Sequence, residues 1–242
     1  MSDKTTGISI RRLAGEALAI FLGVAAALAG QAWFEFQVDR RAEREFLETV
    51  EEELEVVDTF LSSSDQFLRT RREVASAIFA MTSSSGAASS VDSLVVTARR
   101  LSRYNSSEPL EPLADALAPE RLTVVGDPDL RRTLAHFRGQ VAGLRVSLDQ
   151  NQGFVFSELR GFLQEHFGFC SDSVPPEDLL IQLPCRTPSV IDPAVFPELE
   201  SFVHLLVIQY GNILGNEAAL SEGLADLRSA ITARLVSENR DR

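Results

Sequence analysis

An all-α fold is predicted by three features: an uncharged apolar run near the N-terminus, three stripes of apolar residues spaced alternately by three and four, and proline and serine-glycine punctuation between them. The expected architecture is one N-terminal transmembrane helix continuing into an elongated bundle of three long helices plus short helices. No stretch shows the strict alternation of a strand. Residues 1–12 form the expected cytoplasmic N-terminus, residues 13–36 the transmembrane helix, and residues 37–242 the extramembrane bundle, with a disulfide-closed loop near 169–197.

The run at 17–34, ALAIFLGVAAALAGQAWF, carries no charge. As a helix it spans about 27 Å, close to one hydrocarbon core. Lys4, Arg11 and Arg12 precede it, which favours a cytoplasmic N-terminus and export of the remainder. Arg40, Arg41 and Arg44 follow it, interleaved with Asp39, Glu43 and Glu45, and weaken that asymmetry. Ala27-Leu28-Ala29 before Gly30 has the small-residue form of a leader-cleavage site, but the apolar run continues past it to Trp33 and Phe34, aromatic residues of the kind found at a membrane interface. A retained anchor is the expectation, in a bacterial inner membrane with the bulk of the chain periplasmic.

At 100° per residue, Gly15, Glu16, Ala19, Gly23, Ala26, Ala27 and Gly30 share one third of the helix circumference. All but Glu16 are small, and small residues at fourfold spacing permit close helix–helix approach where lipid supplies no hydrophobic driving force. Leu18, Phe21, Leu22, Val24 and Leu28 form the bulky opposite side. The expected partners are therefore the membrane and other transmembrane helices, of a larger complex or of a homo-oligomer.

The first long helix reads Leu47, Val50, Leu54, Val57, Leu61, Leu68, Ala75 and Ile78, with Ser64 and Arg71 in the intervening slots. Phe46, Phe60, Phe67, Val74 and Met81 broaden this stripe to the width a bundle needs. Neither Pro nor Gly occurs between Gln31 and Met81, so the helix continues directly out of the anchor until the serine-rich stretch at 82–90 ends it. Ser90 caps a short helix carrying Val91, Leu94, Val95, Ala98 and Leu101; residues 105–112 turn, and 113–117 add a further helical turn. Asp127-Pro128 has the form of N-cap and N1 for the second long helix, with Leu130, Leu134, Phe137, Val141, Leu144, Leu148, Asn151, Val155, Leu159 and Phe162 on one face. The third begins at Pro197, along Leu199, Val203, Leu206, Tyr210, Ile213, Glu217, Leu220, Leu224, Leu227 and Ile231.

If the first and third long helices run away from the membrane and the second returns, Ser64, Asn151 and Glu217 fall at similar heights and form one buried polar layer, a device that fixes register at some cost in stability. A pairing of Glu217 with Arg71 is the alternative.

The connection from 169 to 197 holds six prolines together with Leu179, Leu180, Ile181 and Leu183. Cys170 and Cys185 are the only cysteines, and an isolated pair enclosing a short loop reads as a disulfide in an oxidising compartment. Such a closure contributes about 3 kcal/mol in the chain-entropy model. A zinc site from Cys170, Cys185, His166 and His204 is the weaker reading, since the spacing matches no finger or ribbon.

Residues 16–54 resemble a large uncharacterised bacterial family of single-pass envelope proteins, through Glu16, Gly23, Trp33, Glu35, Arg40, Arg41, Glu45, Leu47 and Leu54. A second similarity lies at Leu117, Leu122, Asp127, Leu130 and Leu134, a leucine-rich turn before a helix. Ala29 stands where that family usually has Gln, and Glu120 where it has Gly. The resemblance implies a retained anchor and a helical outer domain, and no activity.

The net charge of -12 falls entirely beyond residue 35, which argues against nucleic acid and anionic headgroups as partners. No phosphate-binding loop, nucleophile elbow or paired metal-ligand helix is present, so neither catalysis nor a cofactor nor a bound metal is expected. Two function classes remain: an anchored structural or accessory subunit of a larger membrane complex (energy-transducing, photosynthetic, respiratory or transport), and an envelope sensor or ligand-binding protein, with an enzyme that binds a small ligand between helices as the weaker form of the second.

Overall fold

A computed structural model describes residues 10–83, 91–167 and 191–240 of the chain. These residues are helical almost throughout, and no strand occurs among them. The chain divides into two compact units, Met1–Glu48 and Thr49–Arg242. Helix α1, Ile10–Ser83, contributes to both, as the absence of helix breakers after Gln31 requires.

In the first unit every described side chain from 18 to 39 is exposed, including the large apolar ones. Local pairs decorate its polar end: Gln31 donates to Glu35 at 2.8 Å, Arg40 lies 4.5 Å over the Phe36 ring, and Arg44 pairs with Glu48 at 2.7 Å.

The second unit is a helical bundle. Beyond α1 it holds α2 (Val91–Leu101), a 3-10 turn at Glu108–Leu110, α3 (Glu111–Ala116), α4 (Pro119–Leu122), α5 (Pro128–Phe154), a π-helical turn at Val155–Leu159, α6 (Arg160–Phe167), a 3-10 turn at Pro193–Val195 and α7 (Phe196–Arg240). The apolar positions of the three sequence stripes within this unit are buried, except that Phe60, Phe67 and Met81, which broaden the first, are half-buried. Each such leucine or valine contributes about 1.5–3 kcal/mol by leaving water, so the stripes define the core. Asp127 caps α5 as expected: its Oδ1 accepts from the backbone N–H of Asp129 at 2.8 Å and of Leu130 at 3.2 Å, with Pro128 in the first turn. Those two bonds hold the Asp127 carboxyl below its ordinary range.

The topology corrects the sequence expectation. Asp58 of α1 meets Arg228 of α7 at 3.0 Å, and Ser64 farther along α1 meets Glu217, an earlier residue of α7, so these two helices are antiparallel. Helices α5 and α7 are antiparallel too, through Gln140 to the Ala219 carbonyl at 3.1 Å and Asn151 to Gln209 at 2.8 Å. The first long helix is therefore parallel to the second and opposed by the third. The physical reason is residues 91–122, which cross the bundle themselves. Arg71 donates to the Arg100 carbonyl and Asn105 to Ser64, while Ser107 bonds Asp149 at 2.6 Å and Glu111 pairs with Arg145 at 3.2 Å. Progressing along this segment, the partners recede along both α1 and α5. The short helices thus form a fourth limb, and the limbs run up, down, up and down.

Candidate functional site

Three features carry chemistry: the exposed apolar helix, a buried polar seam and a groove between α5 and α7. In the first, Leu18, Phe21 and Trp33 are 59%, 68% and 65% exposed, and Ile20, Leu22, Val24, Leu28 and Phe34 are comparably open. Contiguous apolar surface of this kind calls for lipid or protein cover. Helix α1 contains a stretch long and apolar enough to cross a membrane. Ala19, Gly23, Ala26, Ala27 and Gly30 are exposed on it, and a Cβ added at Gly23 or Gly30 would meet nothing within 4 Å. Gly15 and Glu16 belong to α1, but their side chains fall outside the described residues.

The seam lies between α1, α7 and the start of the fourth limb. Ser64 donates to Glu217 Oε1, and Asn105 Nδ2 donates to Ser64 Oγ. Glu217 is buried, and its Oε2 has no hydrogen-bond partner among the described residues. Burial pushes its pKa up to about 7, the Asp65 charge adds to the rise, and the Ser64 hydrogen bond opposes it. Two turns away, Tyr210 is wholly buried with its hydroxyl unpartnered among the described residues, and burial raises it to about 12 against the pull of Arg71. Arg71 lies 4.7 Å over the Phe67 ring, and burial lowers its pKa, with Arg103 and Arg100 adding to that effect and Tyr210 opposing it.

The structure thus joins Ser64 and Glu217 of the expected layer and places Asn151 elsewhere. Asn151 is buried, bonded to Gln209 at 2.8 Å, and lies about 12 Å along the axis from the level of Glu217. Glu217 does not pair with Arg71, whose guanidinium stands level with Tyr210 and donates to Arg100. Asn105 was missed because it sits in a turn, where periodicity carries no information.

Between α5 and α7 a surface groove of about 290 Å³ is lined by His136, Gln140, Glu222, Gly223 and Asp226 among others. His136, Glu222 and Asp226 are exposed, and no group of three or more His, Cys, Asp or Glu positioned for a metal occurs among the described residues. His166 stacks on Phe162 at 4.8 Å, and His204 is exposed on α7. Cys170 and Cys185, with the loop that encloses them, lie outside the described residues.

A surface stack on the fourth limb, at Tyr104 next to Asn105, was also missing from the sequence reading. Arg160 lies 3.9 Å over the Phe156 ring and 5.9 Å over Tyr104, and the two rings are 4.9 Å apart. The π-helical turn at Val155–Leu159 sets this arrangement, since one extra residue per turn rotates Phe156 outward. The adjacent buried pairs Phe154-Val155 and Phe162-Leu163 are the sequence signal of that rotation.

Comparison of the chain with protein-family models, with curated proteins and with solved structures finds no match.

Proposed function

We propose that this chain is a single-pass, membrane-anchored accessory subunit that binds a larger membrane assembly through its apolar helix and bundle. The observation that carries the reading is the run of large apolar side chains on α1, more than half exposed from Leu18 to Phe34, in a chain whose bundle buries its own leucine and valine stripes. A bundle that already satisfies its core has no use for that helix, so the helix serves lipid and a partner. The basic residues Lys4, Arg11 and Arg12 favour a cytoplasmic N-terminus, with the bundle in the periplasm. Cys170 and Cys185 support an oxidising compartment. Membership of the uncharacterised envelope family suggested by Glu16, Trp33 and Glu35 accords with this role.

The small face centred on Gly23 is the partner-binding surface within the bilayer. Gly23→Leu is expected to leave membrane insertion intact and to release the partner, read by carbonate extraction and by co-purification. A sensor role is the second reading. Its favouring observation is the Glu217 carboxyl, held near neutrality in the bundle interior.

A further inference from the structure

The face where α5 and α7 lie side by side has features that packing within one chain does not explain. Glycine weakens a helix interior relative to alanine, so an interior glycine calls for a reason. Gly223 has one, because a Cβ there would collide with the Gln140 amide, and Gly143 faces Asn216 Oδ1 at 4.0 Å. Gly139 and Gly215, like Gly153, Gly161 and Gly211, have none: they are exposed, and a Cβ on any of them would meet nothing within 4 Å. Gly139 lines one of two grooves of about 290 and 270 Å³, which share His136, Gln140 and Ala219. Val146 on α5 and Ile208 on α7 stand exposed on the same side.

The register between the two helices is fixed by the bonds of Gln140 to Ala219, Asn216 to Gly143 and Asn151 to Gln209. On that register Val146 is level with Gly215, and Arg132 lies within about 3 Å along the axis of Asp226. His136 stands between the levels of Glu222 and Asp226. Arg132 on α5 and Asp226 on α7 are thus a cation and a carboxylate at matching heights.

We propose that this face binds a second copy of the chain. A two-fold axis along the bundle, in the plane of the contact, sets α5 of each copy against α7 of the other at unchanged height. Val146 of one copy then enters the space over Gly215 of its partner, twice by symmetry. Arg132, whose Nη1 already binds Asp129 at 2.9 Å and whose other donors face solvent, comes beside the partner copy's carboxylate at Asp226. The net charge of -12 makes two copies repel over most of their surface. Here the two-fold operation sets Arg132 of each copy beside Asp226 of the other. The same operation keeps the Thr49 ends of both bundles at one end, as two chains leaving one membrane need.

The test is the mass of the full-length chain in mild detergent, by sedimentation equilibrium across a dilution series. Two copies are expected for the unmodified chain. Asp226→Arg is expected to weaken self-association roughly tenfold, since two symmetry-related pairs change together. Adding Arg132→Asp to it restores the tighter association, and Gly215→Leu abolishes the dimer. A single copy in the unmodified chain overturns the proposal, as does a dimer indifferent to both Asp226→Arg and Gly215→Leu. A dimer lost only on Gly23→Leu assigns the contact to the anchor; it overturns this proposal and leaves the function reading standing.

Discussion

Replacing Glu217 by glutamine probes the seam with almost no change of shape. The carboxyl has an ordinary pKa of 4.5 and is pushed up to about 7 in the folded chain. Between those values the folded state binds more protons than the unfolded one, so stability falls as pH rises. Below pH 4.5 both states are protonated and Glu217 imposes no penalty. Across the window the penalty grows by about 1.4 kcal/mol per pH unit, and it levels off above pH 7 at about 3 kcal/mol. Glu217→Gln keeps an oxygen to accept from Ser64 and removes the charge. The variant should match the parent chain near pH 4.5 and exceed it by about 2–3 kcal/mol at pH 8, a rise of roughly 4–12 °C in melting temperature for a domain of this size. Far-UV circular dichroism melts of both full-length chains at half-unit pH steps read this directly. Parallel curves from pH 4.5 to 8 would refute the buried-carboxylate reasoning.

Other consequences are equally direct. Asp127→Ala removes the α5 cap and should lower the melting temperature at neutral pH. The difference should shrink as acid protonates the parent carboxyl, because the folded-state pKa is depressed and its stabilisation is lost on acidification. Leu144→Ala, at a fully buried site, should cost about 2–5 kcal/mol by urea unfolding. The glycines of α7 should divide: Gly211→Ala, with open space at its Cβ, should gain about 0.5–1 kcal/mol, whereas Gly223→Ala should lose stability because the new methyl meets Gln140 and Phe137. Opposite signs in thermal melts check that contrast.

The long helices were legible because each repeats its apolar residues over many turns, so that a slip of one position would expose Leu134 or Leu206. The cap at Asp127 was legible because Asp-Pro has one good use at a helix start. Direction was not legible. Periodicity states which face is buried and never against which neighbour, and an up-and-return order for α1 and α5 satisfied the stripes as well as the actual parallel order. The fourth limb was hidden by its brevity: α3 and α4 are too short to show a period, and Pro109, Pro112 and Pro119 mark the starts of the 3-10 turn, α3 and α4 without showing that they continue one path. The polar seam was half visible. Ser64 and Glu217 interrupt otherwise apolar stripes, which flags them as buried polar groups, whereas Asn105 interrupts nothing. Asn151 interrupts its stripe in the same way and finds Gln209, a residue at the edge of α7 that no core pattern singles out.

The central claim is that α1 attaches this chain to a membrane assembly through its small-residue face. Its most direct test is affinity purification of the full-length chain from native membranes in mild detergent, with quantitative mass spectrometry, beside the Gly23→Leu variant. The account predicts a stoichiometric membrane partner with the parent chain and its loss from an equally membrane-inserted variant. A chain recovered without a partner, or a partner held equally by Gly23→Leu, would contradict it.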